Sequence, residues 1–163
     1  MNSGRLIFSA AFLAAMSMPL MAQGIDIKGV HIGMSQFELQ DLHGQLPLEN
    51  FTIAGVPSTN SYIDPDFLDG QLEKFDFFFE SKSFDDVYVV VKKKFPALTC
   101  QESRVTTALG KALTQKQCTV SDRKGALFMV RYSGNLLTSA LTLQSNREIK
   151  RAIQSRKAAG KDI

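Results

Sequence analysis

The chain has 163 residues, with 19 lysines and arginines against 16 aspartates and glutamates, a formal net charge of +3. That balance is too even to point to a polyanionic partner, and the 12 phenylalanines sit at core-like spacing rather than among basic residues, which argues against nucleic acid. The length suits one domain able to bury a real core.

Residues 1–22, MNSGRLIFSAAFLAAMSMPLMA, place one basic residue, Arg5, before an apolar run from Leu6 through Met16 and a polar break at Ser17 and Pro19. This is the pattern of a secretory signal peptide with cleavage near Ala22, because the run is shorter than the roughly 20 apolar residues a bilayer span needs. No cysteine stands near that cut to take a lipid. The expected product is a soluble periplasmic or secreted protein, in which 23–146 form a single α+β domain and 147–163 a basic tail. Loss of Arg5 lowers the basic count by one and the net charge to +2.

Segment 24–32, GIDIKGVHI, alternates Ile25, Ile27 and Val30 with polar neighbours and reads as a short extended entry. Ser35 followed three residues on by Glu38 is a capping box, in which hydroxyl and carboxylate each accept from the other's backbone N–H. A helix is predicted over 36–43, with Phe37, Leu39 and Leu42 as its apolar face, Gly44 as its stop and Pro47 beyond. FTIAGV, 51–56, reads as a strand that ends before Pro57. In the polar stretch after it, Pro65 and the dipeptide Asp69-Gly70 mark turns, and Asp-Gly favours a hairpin pairing the Tyr62 region with the Phe75 region.

The clearest pattern lies in 72–80, LEKFDFFFE. Phe75, Phe77 and Phe79 fall on one side of an extended chain and Lys74, Asp76 and Glu80 on the other, while Phe78 breaks the alternation. A second helix is predicted from a cap at Ser83. Asp85 and Asp86 in its first turn and Lys92 to Lys94 in its last suit the helix dipole, Phe84, Val87, Val91 and Phe95 form a stripe, and Pro96 closes it. Strands are then predicted over 98–105, 115–121, 126–132 and 137–144, with turns at 122–125 and 133–135, three consecutive strands making an antiparallel meander.

Cys100 and Cys118 are the only cysteines, and in an exported chain they are expected to form one disulfide between adjacent strands. A redox pair needs closer spacing, and two cysteines with two distant histidines lack zinc-ligand spacing. In the tail, Ile149 and Ile153 stand four apart behind Asn146, a possible cap, with Lys150, Arg151, Arg156 and Lys157 around them. These four basic residues make a membrane surface an alternative partner. The fold class is α+β: an antiparallel sheet with about two helices packed on one face, one disulfide, and a C-terminal short helix or tail.

For chemistry, the chain has no Gly-x-Ser-x-Gly elbow, no His-Glu-x-x-His and no glycine-rich phosphate loop. No cofactor or metal is expected. Asp64, Asp66 and Asp69 lack the EF-hand pattern and suit turns. The expected function is non-enzymatic protein binding, with Tyr62, Phe67, Phe78 and Tyr132 as contacts and another envelope or secreted protein as partner. The alternative is a small periplasmic enzyme using His31 or His43, the only imidazoles, as base.

The entry Gly29-Val30-His31-Ile32-Gly33-Met34-Ser35, with Glu38 and Leu39, resembles that of small bacterial envelope domains. These are the outer-membrane β-barrel assembly lipoproteins of the SmpA/OmlA type and the β-lactamase-inhibitor protein. The resemblance implies a capped helix packed on an antiparallel sheet and a protein-binding habit. It covers about fifteen residues, and the chain departs from the group in having no lipoprotein cysteine, no second repeat, and an additional helix after its central strand.

Overall fold

A computed structural model describes residues 24–106, 110–133 and 138–159. The signal peptide read over 1–22, most of the turn read at 133–135 and the strand start read at residue 137 lie outside the described residues. No helix among the described residues is long and apolar enough to cross a membrane.

Six strands form one antiparallel sheet: β1 (Asp66–Leu68), β2 (Gln71–Glu80), β3 (Thr99–Thr106), β4 (Ala112–Ser121), β5 (Gly125–Tyr132) and β6 (Thr138–Ser145). Their spatial order is β1-β2-β6-β5-β4-β3. The meander therefore runs through four strands, β3 to β6, and β6 returns to lie beside β2, with Leu141 opposite Phe77 and Leu143 opposite Phe75. Among the described residues there are three α-helices: α1 (Gln36–His43), α2 (Phe84–Lys94) and α3 (Asn146–Ala159).

Because side chains alternate across a strand, one face of the sheet collects Phe75, Phe77, Phe79, Leu127, Met129, Leu141 and Leu143, all fully buried. Helix α2 lays Phe84, Val87 and Val91 on that face, and α1 adds Leu39. An aromatic column runs from sheet into helix, Phe77 on Phe79, Phe79 on Phe84 and Phe84 on Tyr88, with ring centroids 5.6, 6.5 and 6.4 Å apart. Arg131 sits 4.8 Å above the Phe84 ring and Lys116 5.3 Å above Tyr88, so the column ends under two cations. Cys100 and Cys118 stand directly opposite each other on β3 and β4 and are joined, with S–S 2.03 Å.

Several local expectations are met. Ser35 Oγ accepts from Glu38 N at 3.2 Å and Glu38 Oε2 accepts from Ser35 N at 2.6 Å, closing the capping box of α1. Gly44 ends the helix at φ 91, its N–H donating to Gln40 O at 2.8 Å. Only Leu39 of the expected α1 face is buried, however, since Phe37 is 76% exposed and Leu42 is exposed too. One turn of contact is all that an eight-residue helix over this edge of the core makes.

Others are corrected. FTIAGV is not one strand but a miniature hairpin, Thr52–Ile53 against Val56–Pro57, turning through Ala54 and Gly55 at φ 54 and 76. A two-residue turn of that kind needs positive φ at both positions, which alanine seldom adopts, so nothing local announces it. The Tyr62 region does not pair with the Phe75 region: Tyr62–Ile63 pairs with Leu48–Glu49, and the Asp69-Gly70 turn joins β1 to β2 instead. The turn chemistry holds, but the strand it folds back is the nearer one. Ser83 makes no side-chain cap and belongs to a 3-10 turn, Ser81–Ser83, ahead of α2.

Strand β4 begins at Ala112, earlier than the 115 expected, and the tail forms the helix α3. Its cap is Ser145, whose Oγ accepts from Glu148 N at 3.0 Å, while the Asn146 amide donates to Arg123 O at 2.9 Å. At the β5 start only glycine fits, because a Cβ on Gly125 would stand 2.1 Å from the Gln144 carbonyl oxygen.

Candidate functional site

Helices α1 and α2 share the core face of the sheet, and α3 turns to the other. Its start is clamped. Glu73 of β2 is only 8% exposed, and its carboxylate accepts from Arg147 Nη2 at 2.7 Å and from the Ser145 hydroxyl, while Arg147 Nη1 donates to Asp69 at 3.0 Å. The Ser145 oxygen that donates to Glu73 is the same atom that caps α3, so one network fixes strand, turn and helix together.

The Arg147 hydrogen bond holds the Glu73 carboxyl below the ordinary glutamate range, against burial that pushes it up, with the Ser145 hydroxyl adding to the lowering. A carboxyl with a depressed native pKa contributes stability that is fully present above its unfolded-state pKa and disappears as pH falls through the native value. Acidification below the ordinary glutamate range is therefore expected to lower the melting temperature, and Glu73→Gln to flatten that part of the profile. Thermal melts across an acid pH series check this; equal slopes for the two proteins would refute it.

Beyond its first turn α3 runs beside the sheet and turns Ile149, Ala152 and Ile153 towards its second face. Below them, Phe128, Val130 and Tyr132 of β5 point up from the second face. Between helix and sheet runs an open groove of about 330 Å³. One rim is polar, with Gln115 of β4 donating to Gln117 at 3.3 Å, and on the other side of β5 Thr142 of β6 donates to Asp76 of β2 at 2.7 Å. Ile153 is 48% exposed and the three β5 side chains are half-buried, so the groove offers apolar surface that the described residues do not fill.

Of the contact residues expected from sequence, the structure brings two to this face. Tyr132 lines the groove, and Phe78 stands in one cross-strand row with Ala140 and Val130. Tyr62 lies elsewhere, 56% exposed on the short ladder with Leu48–Glu49, and Phe67 packs half-buried against the core. Sequence reasoning missed Phe128, Val130, Ile149 and Ile153. The period-two pattern of ALFMVRY and the Ile149/Ile153 spacing were visible, but β5 is apolar on both faces, so neither pattern says which face is left open.

The basic side of α3 is turned outward: Lys150, Arg151 and Lys157 are exposed, and Arg151 lies 3.6 Å from Glu148. The Arg156 side chain lies outside the described part. With Ile149 and Ile153 on the groove side, the outward face of this helix is the basic one.

A second cleft of about 310 Å³, beside the entry segment, includes His31, Asp26 and Asp122. Its carboxylates are engaged. Asp122 accepts from the backbone N–H groups of Ile25, Lys124 and Gly125 at 2.8, 2.7 and 2.9 Å; burial pushes its carboxyl up, but these three donors more than offset that and hold it low. Asp26 accepts from Gly29 N at 3.1 Å and from Lys94 at 2.6 Å. His31 Nδ1 lies 3.3 Å from Ile32 O, and His43 Nε2 lies 2.9 Å from Lys28 O with its ring edge-on to Phe51. Of the loop aspartates, Asp66 is in β1 and Asp69 pairs with Arg147, and among the described residues no three histidine, cysteine, aspartate or glutamate side chains gather to hold a metal ion.

No protein-family model, curated protein or solved structure matches this chain.

Proposed function

We propose that the chain is an exported, non-enzymatic protein-binding module of the bacterial periplasm or secreted medium, an inhibitor or envelope accessory factor that takes an apolar segment of another envelope or secreted protein. The observation that carries this reading is the groove between α3 and the second sheet face. Its apolar floor under a rim of amides and hydroxyls has the chemistry of a recognition site: area to desolvate at the centre, hydrogen bonds at the edge to orient what enters.

The compartment in this reading is supported by the amino-terminal pattern, by the Cys100–Cys118 bridge, which suits an oxidising space, and by the resemblance of the entry motif to envelope proteins with a binding habit. Envelope extracts passed over the immobilised mature chain are expected to yield a reproducible partner. Ile153→Glu, on the half-exposed helix wall, should weaken that capture about tenfold or more while lowering the melting temperature by only a few degrees, with the chain still folded. Equal capture by the variant, or no reproducible partner, would overturn the reading.

A further inference from the structure

Strand β3 forms one edge of the sheet, and seven of its eight residues are exposed. The opposite edge, β1, is only three residues long. Long edges are ordinarily blunted by proline, by charged side chains, lysine above all, by a bulge or by a covering element, because their unpaired N–H and C=O groups template another strand. β3, TCQESRVT, has no proline and no lysine, and it pairs with β4 through eight successive residue pairs without a register shift. The Cys100–Cys118 bridge ties it to β4, so it is held extended before any partner arrives.

The strand carries one acid and one base, Glu102 and Arg104, two residues apart and so on the same face. Neither has an ion-pair partner among the described residues. Lys116, opposite Glu102 on β4, is instead drawn over the Phe84 and Tyr88 rings.

We propose that β3 pairs antiparallel with β3 of a second copy about a twofold axis at Ser103. In that register Glu102 of each copy lies opposite Arg104 of the other, twice, and Gln101 lies opposite Val105. Neighbouring registers are disfavoured: a step of one residue either way about the axis brings Glu102 against Glu102 or Arg104 against Arg104. Half-steps are excluded, because directly opposite residues of antiparallel strands share a face and a twofold normal to the sheet preserves that face.

The spacing of the two charges thus selects a single self-complementary register. The interface is a strand ladder with little apolar area, which places it among weak, concentration-dependent dimers. The two sheets become one, and both grooves under α3 open on the same side.

Sedimentation velocity of the mature chain over a concentration series tests this. The unmodified chain is expected to show a monomer–dimer equilibrium. Glu102→Arg and Arg104→Glu should each weaken dimerisation about tenfold or more, since each places like charges opposite one another twice. A mixture of the two single variants should dimerise again, because every Arg then faces a Glu, and the double variant E102R/R104E should recover for the same reason.

Both positions are exposed, and circular dichroism melts verify that the variants fold. A chain that stays monomeric up to about 1 mM, the weak end of specific association, overturns the proposal. So do single variants that associate as well as the unmodified chain, or a mixture that fails to recover. Capture of a partner through the groove is read separately with Ile153→Glu, so either idea can fail without the other.

Discussion

Replacing Phe77 with alanine is expected to lower the unfolding free energy by about 3–5 kcal/mol, the range for deleting a buried phenyl ring from a core that closes only partly around the space. Phe77 is fully buried at the middle of β2. Its ring stacks on Phe79 at 5.6 Å and meets the edge of Phe51 at 6.0 Å, and Leu141 lies opposite on β6. The cost therefore has three parts: lost transfer energy, an unfilled cavity, and aromatic contacts that join the sheet to the Phe51 loop on one side and to α2 on the other.

Urea unfolding of the two proteins measures it. Phe77→Leu, which keeps most of the volume, should lose less than half as much. An alanine variant within about 1 kcal/mol of the parent would mean the core face is not the organising surface of the fold.

Opening the disulfide is the second large effect. Cys100 and Cys118 are 18 residues apart, and in the chain-entropy model closing a loop of that size contributes about 3 kcal/mol by restricting the unfolded chain. A Cys100→Ala, Cys118→Ala double variant is expected to lose about that much relative to the oxidised parent. The loss should be concentrated where the bridge acts. β3 is an exposed edge strand whose only neighbouring strand among the described residues is β4, so without the cross-link its amides should exchange with solvent faster than those of β2 and β6. A double variant with unchanged stability and unchanged exchange in β3 would show that the eight-pair ladder is sufficient alone.

Legibility was uneven for identifiable physical reasons. Caps, stops and charge order are local: the capping box and Gly44 placed α1 from Gln36 to His43, and charge order with the stop at Pro96 located α2, although its expected Ser83 cap is not made. The Phe75, Phe77, Phe79 alternation is also local and marked β2; Phe78, which breaks it, stands on the other face. The Ala54-Gly55 turn escaped because an alanine at positive φ carries no residue-type signal. The partner of Tyr62 escaped because strand pairing is a contest among segments, and an Asp-Gly turn says where the chain reverses without saying how far the ladder runs back from it.

The candidate groove belongs to the same class: Tyr132 and Phe78 were visible as aromatic residues on alternating strands, but not the helix that walls one side. That helix is held by Glu73, and a lone glutamate next to Lys74 gives no sign of being buried until Arg147 and Ser145 arrive from the far end of the chain.

From the residues alone came the alternation, the caps, the α+β class and the pairing of the two cysteines, because each depends on neighbours a few positions away or on there being one possible mate. The tertiary structure alone decided that β6 inserts beside β2, that α3 crosses to the second face, and that β3 is left as an open edge. Those outcomes rest on contacts between segments some 60 to 80 positions apart, such as Phe77 with Leu141 and Glu73 with Arg147, and stretches so distant choose one another only when the whole core closes.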